Sequence, residues 1–458
     1  MPHLGTIAVT QTSAVSHAST RPVVGGYVLA VTCMAYALNI ADRYVVTTVM
    51  EPMRLELHLS DGGIALLTGI PLAVFYVTLG LPLSWFADRT NRRNILAAAL
   101  LIWSGMTALC GLSQTYLQFL LARIGVGIGE AGGTPPSNSI LADNFSADRR
   151  PMVMTIFALG APLGAWMGAD MAGYVAKLYG WRAAFLVLGA PGLILGVLVF
   201  LTIREPRRGQ LDPLREATPD RQSFVQSMAF LWRQKACIHV IMGGGVSALW
   251  GWGLIWFAPT FLQRAYHLDV GQAGALLGPI HLITGAAATV VTAWLLSLRA
   301  VADPRRVCWL LAAGVALATV PSFVAFHTHD LGLARLMFWL FIPALYFYVG
   351  PAMALVQNLA PAGMRATFIA VSVLAANVLN LIVAPQAVGA LSDHFAGARG
   401  ADAESLRMAL LILAPTGFWA AYHFWAASRT IIADQRVAIG EPQAAKPAKR
   451  SQARSANS

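Results

Sequence analysis

Apolar residues recur along the chain in twelve stretches, each close to the ~20 residues that carry an α-helix across a bilayer. They cover 23–48, 63–86, 94–113, 116–140, 152–176 and 182–203, then 236–262, 271–297, 306–326, 331–357, 366–391 and 407–428. Polar residues collect in short loops between them. Only one interior polar stretch is long, 204–235, and it divides the stretches six from six. The pattern predicts an all-α integral membrane protein with twelve transmembrane helices in two pseudo-symmetric six-helix bundles, 22–203 and 236–430. Helices are the expected spanning element because each satisfies its own backbone hydrogen bonds, which lipid cannot do. Within the linker, 221–235 has the make-up of a short amphipathic helix on the membrane surface. Residues 1–21 and 431–458 are polar, the latter basic, and read as disordered.

Composition supports this plan. Hydrophobic residues make up 57% of the chain and charged residues only 12%, against about 25% charged in soluble domains. That is too little charge to coat a soluble surface. The net charge of +11 raises nucleic acid as a partner, but its distribution excludes that reading. Of 32 Lys and Arg, 23 fall in loops and termini on one side of the predicted topology and seven on the other; Arg43 and Arg123 stay within the membrane. The bias places both termini on the cytoplasmic side of the membrane, with the basic tail near anionic lipid headgroups. The first 20 residues lack a basic signal-peptide start, so the first span is expected to be retained. Cys33, Cys110, Cys237 and Cys308 stand singly, without metal-type spacing, and read as small apolar fillers. No metal or cofactor is expected.

Four ionisable residues interrupt the apolar pattern: Asp42 and Arg43 in the first span, Arg123 and Glu130 in the fourth. A charge at bilayer depth costs about 2.5–3.5 kcal/mol on insertion scales, so these groups should face protein or a watery cavity and pair there. Arg123 and Glu130 lie two helical turns apart and share a face. Asp42 and Arg43, being adjacent, point about 100° apart; Asp42 can face Arg123 or Glu130 while Arg43 faces a cavity. Neighbouring buried acids are a setting for proton exchange, and a permanent salt bridge is the competing reading. Spans 7 to 12 hold no Asp or Glu at membrane depth. Their polar content is His281, Gln357, Asn358, Asn377 and Asn380, beside an aromatic supply that includes Trp252, Trp256 and Tyr346. Asn377, Asn380, Trp252 and Tyr346, with Arg43, form the candidate substrate surface. His281 alone reads as a satisfied polar residue.

Three motifs carry conformational chemistry. After the second span stand Asp88, Arg89, Arg92 and Arg93. They suit a charge latch on a neighbouring helix end; a plain basic loop explains the arginines but not Asp88. A weaker copy, 293–308, has Ser297 where Asp88 aligns. In the fourth span Gly125, Gly127, Gly129, Gly132 and Gly133 permit close helix approach; no strand precedes them, so a nucleotide-binding loop is excluded. In the fifth, Gly160, Pro162, Gly164 and Gly168 make a thin, bendable face suited to a rocking helix contact.

Together these features resemble the major facilitator superfamily over 21–430, and within it the spinster-like transporters of bacteria. The residues that carry the likeness are Asn39, Asp42, Arg43 and Tyr44 in the first span, Asp88, Arg89, Asn91 and Arg92 in the loop, Gly127, Gly129, Glu130 and Ala131 in the fourth span, and Arg204, Glu205, Pro206 and Gly209 after the sixth. Ser84 and Asn91 stand where the general loop motif has glycine. The resemblance implies a monomeric, proton-coupled transporter working by alternating access. It implies Asp42, Glu130 and Arg123 as the proton-coupling group and Arg43 as a substrate contact. Lysophospholipid- or sphingolipid-like solutes are the implied cargo, and small organic anions the alternative. A lipid-modifying enzyme would need a nucleophile–base pair or metal-ligand cluster that no span carries, and a receptor would need no titrating acid.

Overall fold

A computed structural model describes residues 22–70, 73, 74, 78, 89–146, 148–207, 211, 223–298 and 303–439. The described secondary structure is helical throughout. Nine of its helical stretches are long and apolar enough to cross a membrane, among them Arg92–Leu112, Arg150–Tyr179, Trp181–Thr202, Lys235–Tyr266 and Val270–Ser297. The first span, Pro22–Thr48, and the fourth, Tyr116–Glu130 continued by Thr134–Asn144, are helical too and hold the buried charges. The helix that leads into the second span begins at Asp61, ahead of the apolar run, and continues into residues outside the described set. Asp88 also lies outside it. The chain forms two six-helix bundles.

Span ends fall where side chains can satisfy the first free N–H groups. Asn91, Thr115, Asp330 and Asp402 accept from the backbone three residues on, and Asp269 closes a full capping box with Gln272. The expected single helix over 116–140 is instead two. Gly132 and Gly133 donate to the carbonyls of Gly129 and Glu130 in tight turns. Pro135 and Pro136 follow without N–H groups, so the break is local and Glu130 ends the first piece. Each half also carries one wide π turn in its fifth span, Met167–Met171 and Val378–Val383. Such turns cluster at functional sites, and their matched positions fit the duplicated plan.

Two ends of the bundle can be told apart. At the linker end lie Arg92, Arg150, Thr202, Lys235, Pro304 and Arg365; at the far end lie Glu51, Asp61, Tyr179, Tyr266 and Ala403. The linker helix is Phe224–Arg233, closed by a capping box between Ser223 and Gln226. It buries Leu231 and sets Phe230 against Phe368, leaving Phe224, Val225 and Trp232 exposed. The tail departs from the sequence reading. Ile431–Ala438 is helical, Ile431 is in the core, and Asp434 accepts a 2.7 Å hydrogen bond from Ala236 N at the start of the seventh span. A carboxylate capping a helix start explains the order. Residues 440–458 lie outside the described set.

Candidate functional site at the midplane

Asp42 and Arg43 do point apart, and each finds a partner on the fourth span. Arg123 Nη1 lies 2.6 Å from Asp42 Oδ2, and Thr107 Oγ1 donates to Asp42 Oδ1. Arg43 reaches Glu130 through Nη2 at 2.8 Å and Nε at 3.1 Å, both to Oε2. Two turns separate Arg123 from Glu130, so one helix face of span 4 presents a cation and an anion to the matching anion and cation of span 1. The two pairs differ in finish. Both oxygens of Asp42 are engaged, whereas Glu130, wholly buried, has no hydrogen-bond partner for Oε1 among the described residues.

Arg43 is therefore held by Glu130 rather than pointing free into a cavity. Its side chain keeps 14% exposure and lines a narrow cleft between the halves with Thr47, Thr68, Trp256, Leu381 and Pro385. Trp256 Nε1 donates to Asn380 Oδ1 at 2.8 Å, so Asn380 shapes the second-half wall. Asn377, at the start of the same π turn, is joined to it by no hydrogen bond among the described residues. Trp252 stacks on Trp256 at 5.6 Å and meets Tyr346 edge-on at 5.9 Å. Tyr44 closes the group from the first half, 5.3 Å from Trp256. Thr107 did not stand out in the sequence, Trp256 stood there only as one of the second-half aromatics, and Tyr44 only as part of the first-span likeness.

At the far end a second polar cluster crosses the halves. Arg264, from the second half, donates to Glu51 at 2.6 Å and to Asp61 at 2.7 Å. Arg54 also donates to Glu51, Ser392 donates to Asp61 at 2.6 Å, and Asp393 accepts from the N–H groups of Asp61 and Gly62. Burial pushes the Glu51 and Asp61 carboxyls up, but the hydrogen bonds and charge of Arg54 and Arg264 outweigh it, and both are held below their ordinary values. Such a lowered pair contributes fully above the ordinary carboxylate range near pH ~4 and is lost only as pH falls through the lowered values. In a Glu130→Gln background, where the midplane acid cannot titrate, a membrane-impermeant maleimide aimed at a cysteine just beneath the far end should therefore label it equally at pH 7.5 and pH 5, relative to a fully exposed control cysteine. Labelling that rises at pH 5 would contradict this. In sequence these residues look like ordinary charges at helix ends.

Arg92 and Arg93 tie the linker end within the first half. Arg92, 1% exposed, donates to Asp143, to Glu205 at 2.7 Å, to Ser139 and to the Pro206 carbonyl. The Arg93 backbone N–H donates to Glu205 Oε2, and its guanidinium lies over Phe200. Arg92 thus clamps spans 3 and 4 and the exit of span 6. These contacts of Arg92 and Arg93 are internal to one bundle.

A sequence model for the major facilitator superfamily matches residues 32–385. The chain belongs to the major facilitator superfamily. It is 30% identical over 411 residues to an MFS-type efflux pump of Mycolicibacterium smegmatis, covering 87% of this chain and 92% of that one. It is 29% identical over 272 residues to the sphingosine-1-phosphate transporter of Danio rerio, covering 56% of this chain and 53% of that relative. Among solved structures it is similar to a bacterial homolog of the human lysosomal transporter spinster, captured inward-facing and unoccupied, with a TM-score of 0.80, 29% identity and coverage of 91% and 99%. It is a spinster-like member, hence a multi-pass membrane transporter of a family that is not an enzyme class.

In this member of the superfamily the glycine face of span 5 makes a close helix contact. Cβ atoms on Gly160, Gly164 and Gly168 would strike the carbonyls of Cys33, Ala37 and Ala41, so this face packs on span 1 within the same bundle. The contact across the halves is made by the opposite face. Pro162 meets span 8 at Gly285, Ala169 meets Gly274, and Asp170 meets Gly278. Gly164→Ala must push spans 1 and 5 apart, and overpacking of this kind costs about 1–3 kcal/mol. A lower unfolding temperature in detergent is expected; an unchanged one would mean that this face is loose.

Proposed function

We propose that the protein is a proton-coupled transporter that moves an amphipathic, lipid-like anion by alternating access, with Glu130 as its proton site. The observation that carries this is the unequal finish of the two buried pairs. Asp42 is saturated by Arg123 and Thr107, while Glu130 holds Arg43 through one oxygen and keeps the other without a partner. A proton on Glu130 removes the counter-charge of Arg43, the one member of the four that lines the cleft between the halves. Freed, Arg43 offers a forked cation to a phosphate or carboxylate headgroup. Trp252, Trp256 and Tyr346 supply an apolar wall for the tail, with Asn380 as a polar contact and Asn377 beside it. Asp42 and Arg123 set the field around Glu130.

Alternating access follows from where the halves are tied. The Arg264 cluster and the glycine contacts of spans 5 and 8 close the far end. Lys and Arg bias makes the linker end cytoplasmic, with both termini inside and the protein in a bacterial inner membrane. A far-end-closed state is then inward-facing, as is the related solved structure. Asp88, with Arg89, Arg92 and Arg93, belongs to the opposite gate. The sphingosine-1-phosphate relative supports the choice of cargo class.

Purified protein should be stabilised against heat by sphingosine-1-phosphate or a lysophospholipid, and proteoliposomes should relocate either one chemically intact. Ligand binding to the native state raises apparent stability by mass action. Stabilisation by sugar acids alone would move the cargo to small organic anions. Altered product in mass spectra would replace transport by catalysis.

A further inference from the structure

The second half contributes an imidazole to the seam between the halves. His281 is wholly buried on span 8. It shares a face with Gly274, Gly278 and Gly285, the residues that span 5 touches. On a span 8 face otherwise presenting glycines to span 5, one large polar ring is an expensive choice. Its Nδ1 lies 3.0 Å from Tyr346 Oη in its own half and 3.4 Å from Tyr44 Oη in the other. Its Nε2 has no partner among the described residues. Whichever nitrogen carries the proton, Nε2 is left as an unmet donor or acceptor, a costly state in a dry interior. The expectation that His281 is a satisfied polar residue therefore holds for one ring nitrogen only.

Tyr44 follows Arg43 on the same turn of span 1. One side chain of that turn grips Glu130 and the next touches His281. A movement of this turn of span 1 that draws Arg43 away from Glu130 carries Tyr44 with it, against a ring within hydrogen-bond distance of Tyr346. The Tyr44 ring packs 5.0 Å from the His281 ring, so the contact is steric as well as polar. Packed contacts of this kind switch between discrete arrangements rather than deforming smoothly.

We infer that His281 is a positioning residue that transmits the state of the Arg43–Glu130 pair, through Tyr44, to spans 8 and 10 of the second half. It acts through Tyr44 and touches none of the four charges. In the far-end-open state the Tyr44 contact breaks and Nε2 gains the partner it lacks here. The inference rests on the reading of Glu130 as the proton site and adds the route by which its occupancy moves the other bundle.

The test is a double-mutant cycle read on conformation, which needs no substrate. Spin labels on the far ends of spans 2 and 11 report the far-end distance in the full-length protein in nanodiscs. Glu130→Gln mimics the protonated acid and should shift the population toward the open distance. In a Tyr44→Phe or His281→Ala background that shift should fall by about half or more, as expected of coupled neighbours. Tyr44→Phe removes one oxygen and keeps the packing, so it stays informative if His281→Ala fails to fold. His281→Gln, which keeps a donor and an acceptor, should restore part of the shift. An equal shift in all backgrounds overturns the transmission role and leaves the proton site standing. No shift from Glu130→Gln in the otherwise native chain removes both.

Discussion

Arg264→Ala is expected to turn a far-end-closed protein into one that is mostly far-end-open. Arg264 is the cation that the second half places between Glu51 and Asp61, 7% exposed and within 2.9 Å of both. Removing one partner of a buried pair costs about 3–5 kcal/mol, because the remaining charge stays desolvated. Here Arg54 remains beside both acids, 2.9 Å from Glu51 and 3.8 Å from Asp61, which argues for the lower end of that range. The penalty falls on the closed state alone, since opening returns both carboxylates to water. A change of ~5.5 kcal/mol carries a two-state equilibrium from 1:99 to 99:1, so even half of it makes the open form prominent. Distances between spin labels on the far ends of spans 2 and 11 should lengthen. Arg264→Lys should fall between, because an ammonium cannot fork to two carboxylates. Unchanged distances in Arg264→Ala would show that the glycine seams, and not this cluster, hold the end shut.

The second large effect is on stability. Asp42 and Arg123 are 3% and 1% exposed and 2.6 Å apart. Arg123→Ala leaves Asp42 with only the Thr107 hydroxyl, and Asp42→Asn leaves a buried guanidinium whose Nε already lacks a partner. Each single change should lower folding stability by about 3–5 kcal/mol. The double variant, Asp42→Asn with Arg123→Ala, removes both charges and should cost less than the sum of the singles. Coupling energies of about 0.5–3 kcal/mol are usual for such neighbours. Thermal unfolding in one detergent measures all three. Strict additivity would mean that the pair contributes nothing as a pair. This prediction also divides the four charges: Asp42 and Arg123 act mainly by holding spans 1, 3 and 4 together, and Glu130 with Arg43 acts mainly by changing.

The fold was legible because membrane helices advertise themselves twice, by length and by lack of charge. Span edges such as Arg92–Leu112 and Trp181–Thr202 fall within two residues of those read from the apolar runs. Departures came where local backbone chemistry overrides hydropathy: at Gly132, Gly133 and the two prolines that split span 4, and at Ile431, where a buried side chain and a helix cap order a polar tail. In the site, isolated charges in hydrocarbon pointed to Asp42, Arg43, Arg123 and Glu130. Which cation takes which anion depends on helix rotation, and spacing along one helix does not contain it. The Arg264 cluster and the Tyr44–His281 contact were illegible for a different reason. Each joins residues about 200 or more positions apart whose types are unremarkable where they stand. The glycine stripe of span 5 was legible as a thin face, but the helix it meets, span 1, was not, because that too depends on helix rotation.

The measurement that bears most directly on Glu130 is flux driven by a proton gradient alone. Native protein and Glu130→Gln are reconstituted in proteoliposomes with sphingosine-1-phosphate or a lysophospholipid, and a pH step is imposed. Native protein should accumulate or expel the solute in response to the step. Glu130→Gln, which cannot exchange a proton, should lose that response, while exchange of labelled for unlabelled solute at equal pH continues. A pH-driven flux in Glu130→Gln equal to that of the native protein would contradict the assignment of the proton to Glu130.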